Sequence, residues 1–177
     1  MDLQLKDKTA MVTGASMGIG RAIAKMLAIE GVRVAAVARR VELMEAMADE
    51  AVAAGGVRPV LVRQDILAED AAETLRDVAY AELGHVDILV NNAGGSRRLP
   101  VDAPEEAWVE AMTLNFTRQR QLAHALLPHT IERRWGRIIN ITGKSEPEHL
   151  NAAFSAKAAV TPGQRACHAK SGNTASQ

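Results

Sequence analysis

The residues of this chain whose types and spacing could do chemistry begin with Thr13-Gly14-Ala15-Ser16-Met17-Gly18-Ile19-Gly20. Glycines spaced G-x-x-x-G-x-G let the backbone turn sharply, approach a pyrophosphate, and aim free N–H groups and the positive end of a following helix at it. In such a cradle the backbone is the ligand, so Gly14, Ser16, Met17, Gly18, Ile19 and Gly20 are the candidate contacts. The spacing is not G-x-G-x-x-G, and a glycine-rich turn alone is a weak signal, so its neighbours must decide. Arg39-Arg40 follows the apolar run Val32 to Ala38. An acid at that place accepts from the ribose 2′-OH of NAD, whereas arginine pairs with a 2′-phosphate, so Arg39 favours NADP over NAD. The alternative is a solvated arginine pair that starts a helix. Asp65 reads as an adenine contact or as a helix-starting acid.

Further along, Asn91-Asn92-Ala93-Gly94-Gly95 ends a strand-like run. Two amides and two glycines make a plain turn in most proteins. Asn91, Ala93 and Gly94 come beside the cradle if the first and fourth strands are neighbours at a topological switch point. Arg97 and Arg98 read as a solvated loop, with a substrate anion as the alternative. Asn115 falls on the stripe Trp108, Ala111, Met112, Asn115, Phe116 and therefore faces inward. A buried amide must be hydrogen-bonded, so Asn115 either satisfies backbone or joins a polar site; Gln119, on the same face, reads as structural.

The elements that must position these residues alternate. Ala10 to Val12, Val32 to Ala38, Val60 to Val62, Val86 to Val90 and Arg137 to Ile141 are strand-like, and nearly continuous apolar runs of this kind suit a parallel sheet buried on both faces. Between them lie helical stripes: Ile19, Ala22, Ile23, Met26, Leu27; then Met44, Met47, Ala48, Ala51; then Leu75, Val78, Ala79, Leu83, closed by Gly84. Asp102-Ala103-Pro104-Glu105 predicts a long helix with a capping residue and proline in its first turn. Such alternation predicts right-handed βαβ crossovers, hence an α/β fold: a doubly wound, Rossmann-type parallel sheet in three α/β/α layers.

Composition narrows the partners. A chain of 177 residues has room for one domain with a sizeable core, and Lys+Arg and Asp+Glu balance at 21 each, so nothing favours nucleic acid or an anionic membrane. No basic-then-apolar leader opens the sequence, and charges such as Glu30 and Arg33 interrupt every long apolar stretch. The single Cys167 cannot form an internal disulfide, so the expected location is the cytoplasm. No metal-ligand cluster stands out.

Taken together, T-G-x-x-x-G-I-G at Thr13 to Gly20, N-N-A-G at Asn91 to Gly94, the helix Asn115, G-R-I-I-N-I at Gly136 to Ile141, and Lys157 within Ser155-Ala156-Lys157-Ala158-Ala159 resemble the short-chain dehydrogenase/reductase family. The likeness covers residues 5 to 160 and is greatest to 3-oxoacyl-carrier-protein reductases and similar NADP-dependent alcohol dehydrogenases. It implies an NAD(P)-dependent oxidoreductase that moves a hydride between nicotinamide and a small-molecule ketone or secondary alcohol, in a family whose members are usually homo-oligomers. It also implies site roles. Lys157 holds the ribose and lowers the pKa of a tyrosine four residues before it, Asn115 relays protons through water, and a serine after the fifth strand orients the carbonyl. Here the tyrosine position is Ala153, with Phe154 beside it, and the serine position falls on Gly143, flanked by Thr142 and Ser145. Tyr80 is the only tyrosine and belongs to the third helix. Losing a general acid typically costs ~10²–10⁴-fold. Two readings stay open: a branch that uses a substitute acid, with His149, Thr142, Ser145 or Lys157 as candidates, or a non-catalytic nucleotide-binding or inactive truncated protein.

The resemblance assigns residues 1–160 to an incomplete NAD(P)-binding domain and 161–177 to an aberrant, poorly ordered tail. Thr161-Pro162-Gly163 breaks a helix that the family continues. Codons exist for Thr161 to Gln177 that, shifted by one base, read HAWAKGLSREIGKHGIT, which resembles the continuation of that helix. The expectation is a one-base deletion after the Val160 codon, and a truncated sheet whose fifth strand is an unprotected apolar edge.

Overall fold

A computed structural model describes residues 3–96, 98–143 and 151–160. Five parallel strands form one sheet: β1 Thr9–Thr13, β2 Arg33–Ala38, β3 Val60–Arg63, β4 Ile88–Asn91 and β5 Arg137–Asn140, in the order β3-β2-β1-β4-β5. Helices α1 Gly18–Ile29, α2 Val41–Ala53 and α3 Ala71–Leu83 cross between the first four strands. Helix α4 Glu105–Met112, a π-helical turn Thr113–Thr117 and α5 Arg118–Glu132 precede β5, and residues 152–160 form α6.

Alternate residues of the central strands feed two separate cores, as the period of two requires. Ala10, Val12, Val34, Ala36, Ile88 and Val90 pack with Ala24 and Ala28 of α1 and Met44, Met47 and Ala51 of α2. Met11, Ala35, Val37 and Leu89 pack with Leu75, Ala79 and Leu83 of α3 and Leu122 and Leu126 of α5. Helices thus cover both faces, which is the doubly wound arrangement. The strand order reverses between β1 and β4, where Ala10, Met11 and Val12 lie in register with Ile88, Leu89 and Val90. At such a reversal the carboxyl ends of the two strands part and leave a crevice. The strands flanking it end at Thr13 and Asn91.

Two helices differ from the sequence expectation. On α1 the buried residues are Gly20, Ala24 and Ala28, with Ile23 and Leu27 partly buried, whereas Ile19 and Met26 are exposed. The inward stripe is therefore one residue later than the large apolar side chains suggest. Small residues let α1 lie close to the sheet, and that contact fixes the helix's rotation. Helix α4 begins at Glu105 with Pro104 as its extended N-cap, so the proline stands before the first turn rather than in it. None of its residues is fully buried. Among the described residues strand β5 pairs only with β4, and Ile139 on it is exposed.

The chain divides into two compact units, Met1–Ala93 with Arg118–Ile141, and Gly94–Thr117 with Thr142–Gln177. The division sets apart the excursion after β4 and the segment after β5. Arg97, Ser145, His149, Cys167 and the tail 161–177 lie outside the described residues. Among the described residues no helix is long and apolar enough to cross a membrane, and no group of three His, Cys, Asp or Glu side chains is placed to hold a metal ion.

Candidate functional site

In the first unit the glycine turn links β1 to α1. Gly14 and Gly18 adopt φ of +68° and +58°, the left-handed region that glycine enters without steric cost. Ala15 N–H donates to Val37 O at 3.0 Å and ties the turn to β2. Met17 is the N-cap of α1, with no side-chain cap bond and no acid in the first turn. The leading N–H groups of this helix are therefore left to a ligand, and its dipole favours an anion. Ser16 is half-buried, while Met17, Gly18 and Ile19 are exposed along the turn.

The end of β4 closes on this turn through Thr13 and Asn92. The Thr13 hydroxyl donates to Val90 O at 3.3 Å and accepts from Asn92 N–H at 3.1 Å and Ala93 N–H at 3.0 Å. Asn92 Nδ2 donates to Thr13 O at 3.0 Å and Gly14 O at 3.3 Å. A methyl at Gly14 would lie 2.8 Å from Asn92 Nδ2, and one at Gly20 would collide with the same nitrogen and with Gly14 O. The side chain of the amide pair that meets the cradle is thus Asn92, whereas that of Asn91 turns into the protein. Asn91 is buried, and its Nδ2 donates to Asn140 Oδ1 at 2.8 Å and Gln119 O at 3.3 Å. Successive residues of a strand point to opposite sides, so only one of two adjacent amides reaches the turn. Gln119 is structural, donating to Ala93 O at 3.1 Å.

At the end of β2, Arg39 Nη1 lies 3.9 Å from Asp65 Oδ2, and both are solvent-exposed. Asp65 also accepts Leu67 N–H at 3.0 Å within its loop. Helix α3 starts later, with Asp70 as its N-cap, so the reading of Asp65 as a helix-starting acid is excluded. Arg40 is the N-cap of α2, and its Nη2 sits 3.0 Å from Met17 Sδ, which brings its guanidinium to the glycine turn. An arginine pair at the start of a helix is therefore also what the structure contains.

In the second unit Asn115 is fully buried within the π-helical turn. Its Nδ2 donates to Ala111 O at 2.9 Å and Gly95 O at 3.0 Å, and its Oδ1 accepts Gly95 N–H at 3.1 Å. The amide thus satisfies backbone, and it also lines the cavity described below. A methyl at Gly94 would lie 2.8 Å from Asn115 Oδ1 and 3.3 Å from Lys157 Nζ, so only glycine fits there. Burial holds the Lys157 ammonium below the usual lysine range. The unfolded chain keeps the ordinary value of 10.5 and binds more protons in the interval between the two. Stability should therefore rise with pH through that interval, and thermal melts of the wild type and Lys157→Met between neutral and alkaline pH should show the rise only in the former.

Ala153 is buried at the first turn of α6, and Thr142 and Gly143 are exposed. Tyr80 is spent elsewhere, tilted against His129 with ring centroids 5.2 Å apart. Above α6 the second unit holds a cavity of about 160 Å³, with Leu99, Ala111, Leu114 and Ala153 among its apolar lining and Ser96, Glu110 and Asn115 as its polar side chains. Sequence reasoning passed over Asn151, whose Oδ1 accepts Ala153 N–H at 3.0 Å and whose Nδ2 donates to Ser96 Oγ at 2.6 Å. An asparagine directly before an apolar helical run is the N-cap signal that would have found it.

Residues 8–171 match the family described as short chain dehydrogenase. A short chain dehydrogenase of Pseudocercospora fijiensis (strain CIRAD86) is 41% identical over 164 residues, 89% of this chain and 53% of the relative. A 3-oxoacyl-[acyl-carrier-protein] reductase of Aquifex aeolicus (strain VF5) is 35% identical over 143 residues, 80% of this chain and 58% of the relative. Among solved structures, a 7α-hydroxysteroid dehydrogenase complexed with NADH and 7-oxo glycochenodeoxycholic acid has a TM-score of 0.88 at 33% identity, covering 95% of this chain and 67% of its own. A metagenomic short-chain oxidoreductase in complex with NADP has a TM-score of 0.86 at 33% identity, covering 92% of this chain and 76% of its own. The chain spans about half the length of the curated relatives it matches.

Proposed function

This chain belongs to the short-chain dehydrogenase family, and from that premise we propose that it binds a nicotinamide dinucleotide on Thr13–Gly20, NADP in preference to NAD, and acts as an oxidoreductase on a ketone or secondary alcohol. The observation that carries the reading is the bare backbone of the cradle. Side chains at Gly14 and Gly20 would run into Asn92, while a methyl at Gly18 would meet no protein atom within 4 Å. The turn is thus packed tightly beneath and left open above, which fits a pyrophosphate lying on backbone N–H groups.

When bound, the dinucleotide supplies or accepts the hydride. The residues of this chain orient it. Gly14, Ser16, Met17, Gly18, Ile19 and Gly20 hold the phosphates, Asp65 the adenine, and Ala93 and Gly94 with Asn92 the strand end beside them. Arg39 and Arg40 supply two guanidinium groups for a 2′-phosphate, a pairing that a ribose hydroxyl does not reward equally. By the family resemblance, Lys157 would hold the nicotinamide ribose and Asn115 would relay protons through water.

A second reading, a nucleotide-binding protein without turnover, is favoured by one observation: a buried methyl, Ala153, stands where the family places its acid. Fluorescence titration with NADPH and NADH, followed by a ketone panel with NADPH, separates the two. Tighter NADPH binding with turnover supports the oxidoreductase, tight binding without turnover supports the second reading, and binding of neither nucleotide removes both.

A further inference from the structure

Ser96 lines the cavity of the second unit at its solvent-exposed side, and the bond it receives excludes one direction for its proton. Asn151 Oδ1 accepts the Ala153 N–H that opens α6, which fixes the orientation of the amide. Its Nδ2 is therefore the atom 2.6 Å from Ser96 Oγ. An amide nitrogen offers no lone pair, so Ser96 accepts this bond and its own O–H is turned elsewhere.

The other polar side chains of the cavity have no such hydrogen to give. Asn115 spends both amide hydrogens on Ala111 O and Gly95 O. The Glu110 carboxylate, when ionised, only accepts. The Gly95 N–H is taken by Asn115 Oδ1. Among the described side chains lining the cavity, Ser96 alone carries a hydroxyl, and Ala153 presents a methyl.

We propose that Ser96 is the hydrogen-bond donor of this cavity, aimed by Asn151, and that it binds the oxygen of a small neutral carbonyl compound or alcohol. This assignment rests on the oxidoreductase reading for the choice of a carbonyl ligand. Its geometry lies entirely within the second unit. Asn151 is a positioning residue: one side of its amide caps α6 and the other forces Ser96 to point its proton away.

The test uses ligand-observed fluorine NMR on the full chain without cofactor, with 4-fluoroacetophenone as probe and 4-fluoroethylbenzene as the same shape without the oxygen. The ketone should bind about fivefold more tightly than the hydrocarbon, the worth of one neutral hydrogen bond. Ser96→Ala should erase that preference and leave the hydrocarbon unaffected, and Ser96→Thr should retain it. Asn151→Asp discriminates most sharply. Aspartate still caps α6 and suits the helix dipole, so the melting temperature should hold or rise. Both of its oxygens accept, however, so the Ser96 proton turns to the carboxylate and the preference for the ketone should vanish as in Ser96→Ala. A preference that survives Ser96→Ala or Asn151→Asp, or is absent in the wild type, overturns the proposal. NADPH titration of the same samples keeps the two readings apart: failure there strikes the dinucleotide assignment and leaves the oxygen preference standing.

Discussion

Gly14→Ala is expected to cost this protein about 2–5 kcal/mol of stability, the sum of left-handed backbone strain of about 1–2 kcal/mol and overpacking of about 1–3 kcal/mol. The added methyl would lie 2.8 Å from Asn92 Nδ2, 3.0 Å from Ala93 Cα and 3.1 Å from Ala93 N. Two of these are backbone atoms held by the Thr13 hydroxyl, so no rotamer change relieves the clash. Gly18→Ala provides the contrast. Its φ is +58°, but nothing lies within 4 Å of its added carbon, so only the strain of about 1–2 kcal/mol remains. The same methyl covers the surface offered to phosphate, and losing one charge-assisted bond there should weaken NADPH about 10–100-fold in a protein that is still folded. Urea unfolding and NADPH titration of the two variants measure both effects. Equal stabilities would refute the packing argument, and wild-type affinity in Gly18→Ala would remove the cradle as the phosphate site.

The second large effect is expected at the opposite end of the same strands. The Asp87 side chain is 3% exposed, and its Oδ2 accepts from Thr9 N–H at 3.1 Å, lies 3.4 Å from Thr9 Oγ1 and pairs with His85 Nε2 at 3.1 Å, while Arg133 Nε approaches Oδ1 at 3.8 Å. Asp87→Ala leaves the buried Thr9 N–H without its acceptor, while His85 and Arg133 keep access to solvent, and should destabilise by about 1–3 kcal/mol. Asp87→Asn keeps one acceptor oxygen and should recover part of the loss. Thr9 is the first residue of β1 and Thr13 the last, so the NADPH affinity of folded Asp87→Asn should equal that of the wild type. An unfolding midpoint unchanged in Asp87→Ala would show that the carboxylate carries no structural load.

Much of the architecture is legible because it rests on local repetition. Unbroken apolar runs such as Val34 to Ala38 admit no exposed face, and Met44, Met47, Ala48 and Ala51 repeat at helical spacing, so the parallel sheet and the inward side of α2 follow from the chain itself. All four residues of that α2 stripe are fully buried. The α1 stripe was misread because size was taken for burial. Close approach to the sheet selects Gly20, Ala24 and Ala28, and it turns Ile19 and Met26 outward.

By itself, then, the sequence determined the doubly wound sheet, the glycine turn with N-N-A-G at the end of the fourth strand, and the methyl of Ala153 where the family carries a hydroxyl. These are matters of composition and spacing along the chain, and they survive any detail of packing. Tertiary structure alone decided which amide of Asn91-Asn92 meets the cradle, that Asn115 is spent on the Gly95 backbone, that Arg39 comes to Asp65 and Arg40 to Met17, and that Asn151 holds Ser96. Each of these depends on which way a side chain points and what lies a few ångströms from it. Pairs such as Ser96 and Asn151, 55 residues apart, are brought together only when the chain folds.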